Sequence, residues 1–305
     1  MLSNLRERFK YFFNDVIYEW QLGVSKAPIQ FFLIQPEMPA ITWIVSPRET
    51  LWADPFGLIR DGKYYIFYEE YIKKNKYATL NCMILDEQLR TLDNKLIIDE
   101  GYHMSYPYLI QYQGADYMLP ESSASDTLIL YKCDSFPFKW HKEKVLLHVP
   151  CIDTVLFFKD DYWWLIYCKE KGKIEDRDRI AYLRRNKEFM EGWEDCAEIE
   201  IAHDLLNARG GGSVFEYEGE LYRVTQNCTI DYGQSMVINK ITNLSENDFK
   251  EEAVKKLKID SPLVTNFHTL SSLGSYALVD RRVEVLYPKS IGSILSRFTG
   301  KLKGK

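Results

Sequence analysis

Two aspartates at matching places in a repeated pattern are the residues best placed to do chemistry. Asp54 lies in Ala53-Asp-Pro-Phe56 and Asp153 in Ile152-Asp-Thr-Val155, each at the start of an aromatic-rich hairpin. Tyr106 and Gly211 hold the corresponding place in two further copies, and a fifth falls near Asn266 to His268. The returning strands of the same hairpins end at Glu69, Glu121, Cys168, Gln226 and, in the fifth, Asp280 or Arg281. In a hairpin the start of the first strand lies beside the end of the second, so both sets reach one end of their hairpins. Carboxyls and an imidazole gathered at one mouth are the groups that general acid–base chemistry uses.

The elements that must position them recur about every 50 residues, the period of a four-stranded propeller blade. Aligned on the turn, Gly62, Gly114, Asp161, Gly219 and Gly274 correspond, and Tyr65, Tyr117, Trp164 and Tyr222 each follow three residues later. Each copy supplies two strands and the segment after it two more, such as Thr127 to Cys133 and Lys144 to Val149. The expected fold is all-β: a five-bladed β-propeller with blades over 52–99, 104–149, 152–201, 209–260 and 263–288. One such sheet cannot bury both faces alone, so the blades must pack around an axis. The fifth blade is one strand short, and Ile41 to Val45 is expected to complete it. The division expected is residues 1–40 as helix and connector, 41–290 as one propeller domain, and 291–305 as a basic tail.

Composition narrows the classes. The chain has 305 residues, 46% of them hydrophobic, enough for a sizeable core. A formal net charge of -5 gives no nucleic-acid footprint. Six cysteines occur without a CxxC pair, so no structural zinc site is expected. No DxD stands at a strand end to advertise a metal–nucleotide site, Glu69-Glu70 is the one pair that could hold a cation, and no cofactor is expected. Met1 to Lys10 is polar and charged rather than an apolar leader, and the expectation is a cytoplasmic protein with free thiols. Ala208-Arg-Gly-Gly-Gly-Ser213 lacks the spacing of a phosphate loop and leads into a strand; its glycines allow close backbone approach. Lys171 to Arg179 is highly charged and reads as an exposed loop.

The two ends differ from the body. Over residues 1–24, Leu2, Leu5, Phe9, Phe12, Phe13, Val16, Ile17 and Trp20 recur near a 3.6 period with Arg6, Arg8 and Lys10 between them. That pattern predicts an amphipathic helix, lying either in a membrane interface or on the propeller or another subunit. Residues 291–305 combine Ile294, Leu295 and Phe298 with Arg297, Lys301, Lys303 and Lys305, cations that would attract an anionic bilayer. Both ends thus offer peripheral contact with the inner face of a membrane.

The runs Ala53 to Phe56, Ser105 to Tyr108, Leu119 to Ser122, Phe136 to Trp140, Ile152 to Val155, Leu221 to Arg223, Gln226 to Cys228, Tyr232-Gly233 and His268 to Leu270 resemble a known family. It is the propeller domain at the N-terminus of plant glucosamine inositolphosphorylceramide transferases, whose stand-alone bacterial relatives are associated with surface-polysaccharide synthesis. The resemblance covers residues 18 to 283, including Trp20-Gln-Leu-Gly23. It implies glycosyl transfer from an activated sugar donor to a lipid-linked or glycan acceptor, although in the plant proteins a separate C-terminal domain carries the known transferase activity. A more distant resemblance is to the five-bladed family 43 glycoside hydrolases. Asp54 and Asp153 match two of their acids by blade, but blade four offers Gln226 where a glutamate is needed, and the nearest acid is Glu121 in blade two. For glycosyl transfer Asp54 is the candidate base, Asp153 orients the acceptor or tunes that base, and Glu121 is a second acid/base or binds sugar hydroxyls. His268, Arg223 and Arg209 are candidates for a donor phosphate, while Tyr106, Gln226 and Glu69 line the funnel. The alternatives are a glycoside hydrolase and a non-catalytic glycan-binding propeller.

Overall fold

The computed structural model describes residues 14–169, 180–261 and 263–288. The tail over 291–305, the loop over 171–179 and the first half of the expected helix lie outside the described residues. In chain order the elements begin with β1 (Asn14–Ser25), a short helix α1 (Ile29–Ile34) and β2 (Ile41–Val45). Next come β3 (Thr50–Arg60), β4 (Lys63–Ile72), β5 (Tyr77–Leu85) and β6 (Thr91–Ile98), one antiparallel sheet of four. The second sheet is β7 (Ser105–Tyr112), β8 (Ala115–Glu121), β9 (Leu128–Ser135) and β10 (Lys139–Leu147). The third is β11 (Cys151–Lys159), β12 (Tyr162–Lys169), β13 (Ile180–Asn186) and β14 (Ile199–His203). Then follow β15 (Gly210–Tyr217), β16 (Glu220–Asn227), β17 (Ser235–Leu244) and β18 (Phe249–Leu257), and finally β19 (Val264–Asn266), β20 (Leu270–Leu273) and β21 (Tyr276–Pro288).

These last strands form a nine-stranded sheet with β1 and β2, in the order β18-β17-β16-β15-β20-β21-β1-β2, with β19 beside β21. One parallel bridge, Gly212 to Leu270, joins its two halves. The first strands make a closed ring: β3 packs on β7, β7 on β11, β11 on β15, β15 on β20, and β20 back on β3. As expected, Ile41–Val45 completes the last group of strands. The helix over 1–24 is a correction. Residues 14–25 are a strand, paired along its whole length with β21 and over Gln21–Ser25 with β2. Its Val, Ile, Tyr and Trp residues suit a pleated surface, and Gly23 lies where an added Cβ would stand 2.7 Å from both Ile41 and Val279. Strand pairing on two sides outweighs a helical periodicity that is only local.

The turns follow the chemistry of their residues. Asp61 and Gly62 take φ 51° and 69°, and Gln113-Gly114, Asp160-Asp161 and Glu218-Gly219 are likewise left-handed at both positions. That is the geometry matching the twist of a two-residue hairpin. Phe56, Tyr106, Leu119, Val155, Leu165 and Trp164 belong to one buried cluster that spans several sheets.

A second recurring feature sits at the opposite end of the first strands. Register slips between Ala53 and Phe56, Ser105 and Tyr108, Ile152 and Val155, and Gly210 and Val214. At each bulge the residue two before the slip closes is left-handed: Asp54 at φ 52°, Tyr106 at 48°, Asp153 at 45° and Gly212 at 139°. The fourth equivalent is therefore Gly212 rather than Gly211. Holding three non-glycine residues there costs about 1–3 kcal/mol each. The bulges turn these positions out of the ladder. An added Cβ on Gly212 would stand 1.8 Å from the Leu270 carbonyl oxygen. Gly212→Ala is thus expected to destabilise the fold by roughly 3 kcal/mol or more, read as a lowered midpoint in chemical denaturation.

Candidate functional site

At the bulged ends of the first strands a pocket of about 260 Å³ opens, with Asp54, Glu69, Glu121, Arg209, Tyr232 and His268 in its wall. Trp20, His103 and Ser105 also line it. Asp153 lies directly behind, its Oδ2 accepting from Arg209 Nε at 2.6 Å and Gln226 Nε2 at 2.8 Å. Its backbone N–H donates to Glu121 Oε2 at 3.4 Å. Strand starts and ends therefore do converge, through sequence separations of 32 to 73 residues.

Asp280 at the end of the last hairpin organises the other side. Its carboxylate accepts from the backbone N–H groups of Asp54 at 3.0 Å, His268 at 3.2 Å and Thr269 at 3.0 Å. It also holds His268 Nδ1 at 2.7 Å. His268 Nε2 is thereby aimed at Asp54 Oδ1, 3.8 Å away, which also accepts the Thr269 hydroxyl at 2.8 Å. The imidazole stacks with Trp20 at 4.3 Å and meets Tyr232 nearly at right angles at 5.5 Å. Arg209 lies over Tyr232 with its Cζ 4.7 Å from the ring centre.

Burial sets the protonation. Asp54 is pushed from 3.8 up to about 6 by loss of water, against the pull of His268. Asp153 rises to about 7, again by burial, against Arg209 and with Glu121. Glu69 is pushed well above the carboxylate range by burial and then by Asp54, with which its side chain shares a hydrogen bond. Two carboxyls that close hold one proton between them, so Glu69 keeps the proton and Asp54 carries the charge. Burial opposes the His268 charge, but Asp280, Asp54 and Asp153 together raise its pKa and favour imidazolium.

The sign of the resulting pH dependence follows from the raised values. For Asp54 the stabilising contribution is complete below 3.8 and is lost as pH rises through about 6. For Asp153 the loss extends to about 7. At one pKa unit per 1.36 kcal/mol, Asp54 alone contributes about 3 kcal/mol. Thermal melts are expected to show rising stability from pH 8 down to pH 5, and Asp54→Asn to flatten part of that slope.

Other expected residues sit elsewhere. Arg223 is 1% exposed and bound to Glu251 at 2.9 Å and to the Asn207 and Ala208 carbonyls, away from the pocket wall. Four of its five N–H groups are engaged in a structural bridge, so the structure makes it a strut where a phosphate ligand was expected. Tyr106 is fully buried, and its hydroxyl accepts from Gly212 N at 2.7 Å and donates to Gly212 O at 3.0 Å, spanning the ring below the pocket. Gln226 is buried behind Asp153 and also donates to Gly210 O at 2.7 Å. Glu69 and Glu70 do not form a cation pair: strand alternation turns Glu70 away, where it accepts from Trp52 Nε1 and Asn81. The ligand atoms of Asp54, His268 and Asp280 lie within 4.8 Å of one another and are the one such trio among the described residues. Both Asp280 oxygens and His268 Nδ1 already have donors or acceptors there, so a cation would have to displace hydrogen bonds to use all three.

The sequence reading left Trp20, Thr269 and Tyr232 out of the site and assigned Asp280 no role in it. Asp280 was legible as a strand-end position. Trp20 was hidden because β1 reads as helix from its local period.

The ring of antiparallel sheets places the chain in the class of β-propeller-like folds. The chain is similar to the catalytic domain of a family 62 α-L-arabinofuranosidase from Coprinopsis cinerea, at 10% identity and TM-score 0.57, covering 86% of this chain and 97% of that one. A family 43 β-xylosidase/α-arabinofuranosidase from a compost metagenome gives 14% identity and TM-score 0.55, covering 78% and 91%. At such identities the likeness shows the fold alone. Residues 42–266 match the family described as glucosamine inositolphosphorylceramide transferase 1, N-terminal, and the chain belongs to that family. The glucosamine inositolphosphorylceramide transferase 1 of Oryza sativa subsp. indica is 30% identical over 205 residues, and that of Arabidopsis thaliana 29%. Each alignment covers 66% of this chain but only 28% and 27% of the plant proteins.

Proposed function

We propose that this chain is a five-bladed propeller glycosyltransferase of cell-surface glycoconjugate or polysaccharide synthesis. It transfers a sugar from an activated phosphate donor to a lipid-linked or glycan acceptor held in the funnel. The observation that carries this reading is one pocket in which an acid that ionises near neutral pH, Asp54, faces two cations, His268 and Arg209. Asp54 takes the proton from the acceptor hydroxyl as the new glycosidic bond forms. His268 and Arg209 stabilise the negative charge that grows on the departing phosphate. Asp280 favours the charged form of His268 and fixes its orientation. Trp20 gives an apolar wall beside the sugar. At about 260 Å³ the pocket lies just below the ~300–1,000 Å³ of drug-sized ligands, which suits one sugar ring with the remainder of donor and acceptor outside.

A glycoside hydrolase is the second reading, and a specific observation favours it: burial raises the pKa of Glu69 and, to about 7, that of Asp153, which favours the protonated form that an acid acting on a glycosidic oxygen needs. Against it, a phosphate leaving group needs cations rather than an acid, and the pocket supplies two.

The test is a donor screen. The protein is incubated with nucleotide sugars and lipid-phosphate sugars together with a polyprenyl-diphosphate-linked acceptor, and products are read by mass spectrometry. A mass gain on the acceptor that disappears in Asp54→Asn supports transfer. Cleavage of donor or oligosaccharide without acceptor gain would replace it with hydrolysis. Saturable glycan binding without turnover would leave a binding module.

A further inference from the structure

Beside the pocket the last sheet does not stop where its neighbours do. β2 pairs only with Gln21–Ser25 of β1, and β20 only with Tyr276–Val279 of β21. Asn14–Trp20 and Arg282–Pro288 run on as a two-stranded ribbon, flanked only by β19 at its base. The ribbon starts at the mouth itself, since Trp20 lines the pocket.

Around this ribbon lie three large apolar side chains in water: Ile230 at 88% exposure, Tyr18 at 49% and Leu263 at 48%. They are tied together rather than scattered. Arg282 pairs with Asp231, next to Ile230, at 2.9 Å and stands 5.1 Å over the Tyr18 ring. The Glu284 backbone N–H donates to the Leu263 carbonyl at 2.8 Å. Between Leu263 and the ribbon an open groove of about 420 Å³ is walled by Val264, Val283, Val285 and Leu286. A neighbouring groove of about 450 Å³ joins Ile230 to Lys256 and Lys258. Apolar patches of this kind on a soluble surface mark an interaction site.

The charge of the flanking sequence says what covers it. Asn14 and Pro288 pair at one end of the ribbon, so the sequences before and after them both join the described structure there. Residues 289–305 contain Lys289, Arg297, Lys301, Lys303 and Lys305 and no acid, in a chain of formal net charge -5. Residues 1–13 carry Arg6, Arg8 and Lys10 against Glu7 alone. Lys256 and Lys258 share the groove with Ile230, and Arg282 stands over Tyr18. Apolar side chains beside cations, in a chain whose two end segments are basic in sequence, are what an anionic bilayer surface recognises, and the two attractions add.

We propose that the rim formed by Tyr18, Ile230 and Leu263 around the β1–β21 ribbon seats the funnel mouth on an anionic lipid bilayer. The inference deepens the lipid-linked acceptor of the proposed function and rests on that reading. It also assigns the membrane contact to a β-ribbon where sequence periodicity predicted a helix. No helix among the described residues is long and apolar enough to cross a membrane.

Flotation of the full chain with vesicles of phosphatidylcholine and phosphatidylserine tests it, with pure phosphatidylcholine as control. Binding is expected to need the anionic lipid and to weaken with salt. The double variant Ile230→Asp, Leu263→Asp is expected to bind the mixed vesicles roughly tenfold or more weakly with an unchanged thermal melt, because both side chains are exposed. Failure of the parent protein to float overturns the proposal, as does equal flotation of the double variant, which would leave the contact to the basic ends alone. A dimer in sedimentation that the double variant breaks would make the rim a self-association face and overturns it too. Asp54→Asn is expected to float like the parent, so silence in the donor screen with intact flotation would fault the transferase reading and spare the membrane one.

Discussion

Asp54→Asn is expected to lower turnover by about 10²–10⁴-fold, the usual worth of a positioned general base, while the protein stays folded. The substitution is chosen for its geometry. Asp54 sits at φ 52°, a left-handed conformation that asparagine accepts and most residues do not. Its Oδ1 accepts the Thr269 hydroxyl, and its backbone N–H reaches Asp280, neither of which needs the charge. Losing a buried carboxylate whose pKa stands at about 6 removes a cost to the fold at pH 7, so the melting temperature is expected to hold or rise. Activity is read as product per unit time by mass spectrometry with the donor that the screen identifies. Turnover within a few-fold of the parent would move the base to another carboxyl, with Asp153 the next to test.

Arg223→Met is expected to act in the opposite way, costing about 3–5 kcal/mol of stability. The guanidinium is 1% exposed and joins β16 to β18 through Glu251, while its Nη atoms hold the Asn207 and Ala208 carbonyls. Removing it leaves a buried carboxylate and two carbonyl groups without their donor. The same loop leads into Arg209, so its loosening reaches the pocket wall. Urea denaturation measures the loss. Arg223→Met with Glu251→Leu is expected to recover part of it, because an apolar pair of similar volume avoids desolvating two charges. If the double variant is no more stable than the single one, the contacts to Asn207 and Ala208 rather than the ion pair dominate. A phosphate ligand would show instead as a raised KM with unchanged stability.

The pair also separates two kinds of buried charge. Asp54 and Asp153 are held in protein without full neutralisation, which displaces their pKa values toward neutrality. Such displacement is what acid–base work at neutral pH requires. Arg223 and Glu251 neutralise one another, and the Asn207 and Ala208 carbonyls hold the guanidinium away from the pocket.

By itself the sequence determined the hairpins, their turns and the equivalence of Asp54 with Asp153. Those are local matters: alternation at a period of two, and paired residues such as Asp61-Gly62 that tolerate positive φ, are written within a few positions of one another. It also placed Ile41–Val45 as the closing strand, because a group of strands one short must be completed from the other end of the chain. Only the tertiary structure decided that residues 14–25 are a strand, since their apolar residues satisfy a helical period and the pairing that overrules it lies some 260 residues away at Gln21 and Arg281. It alone decided which residues share the pocket. Asp280 grips Asp54 across a separation of 226 residues, and the bulges that turn Asp54, Tyr106 and Asp153 toward the axis are register slips against partner strands. Arg223 and Arg209 are alike as residue types, and what separates strut from site is the partner that closing the ring gave each of them: Glu251 for one, Asp153 and the open pocket for the other.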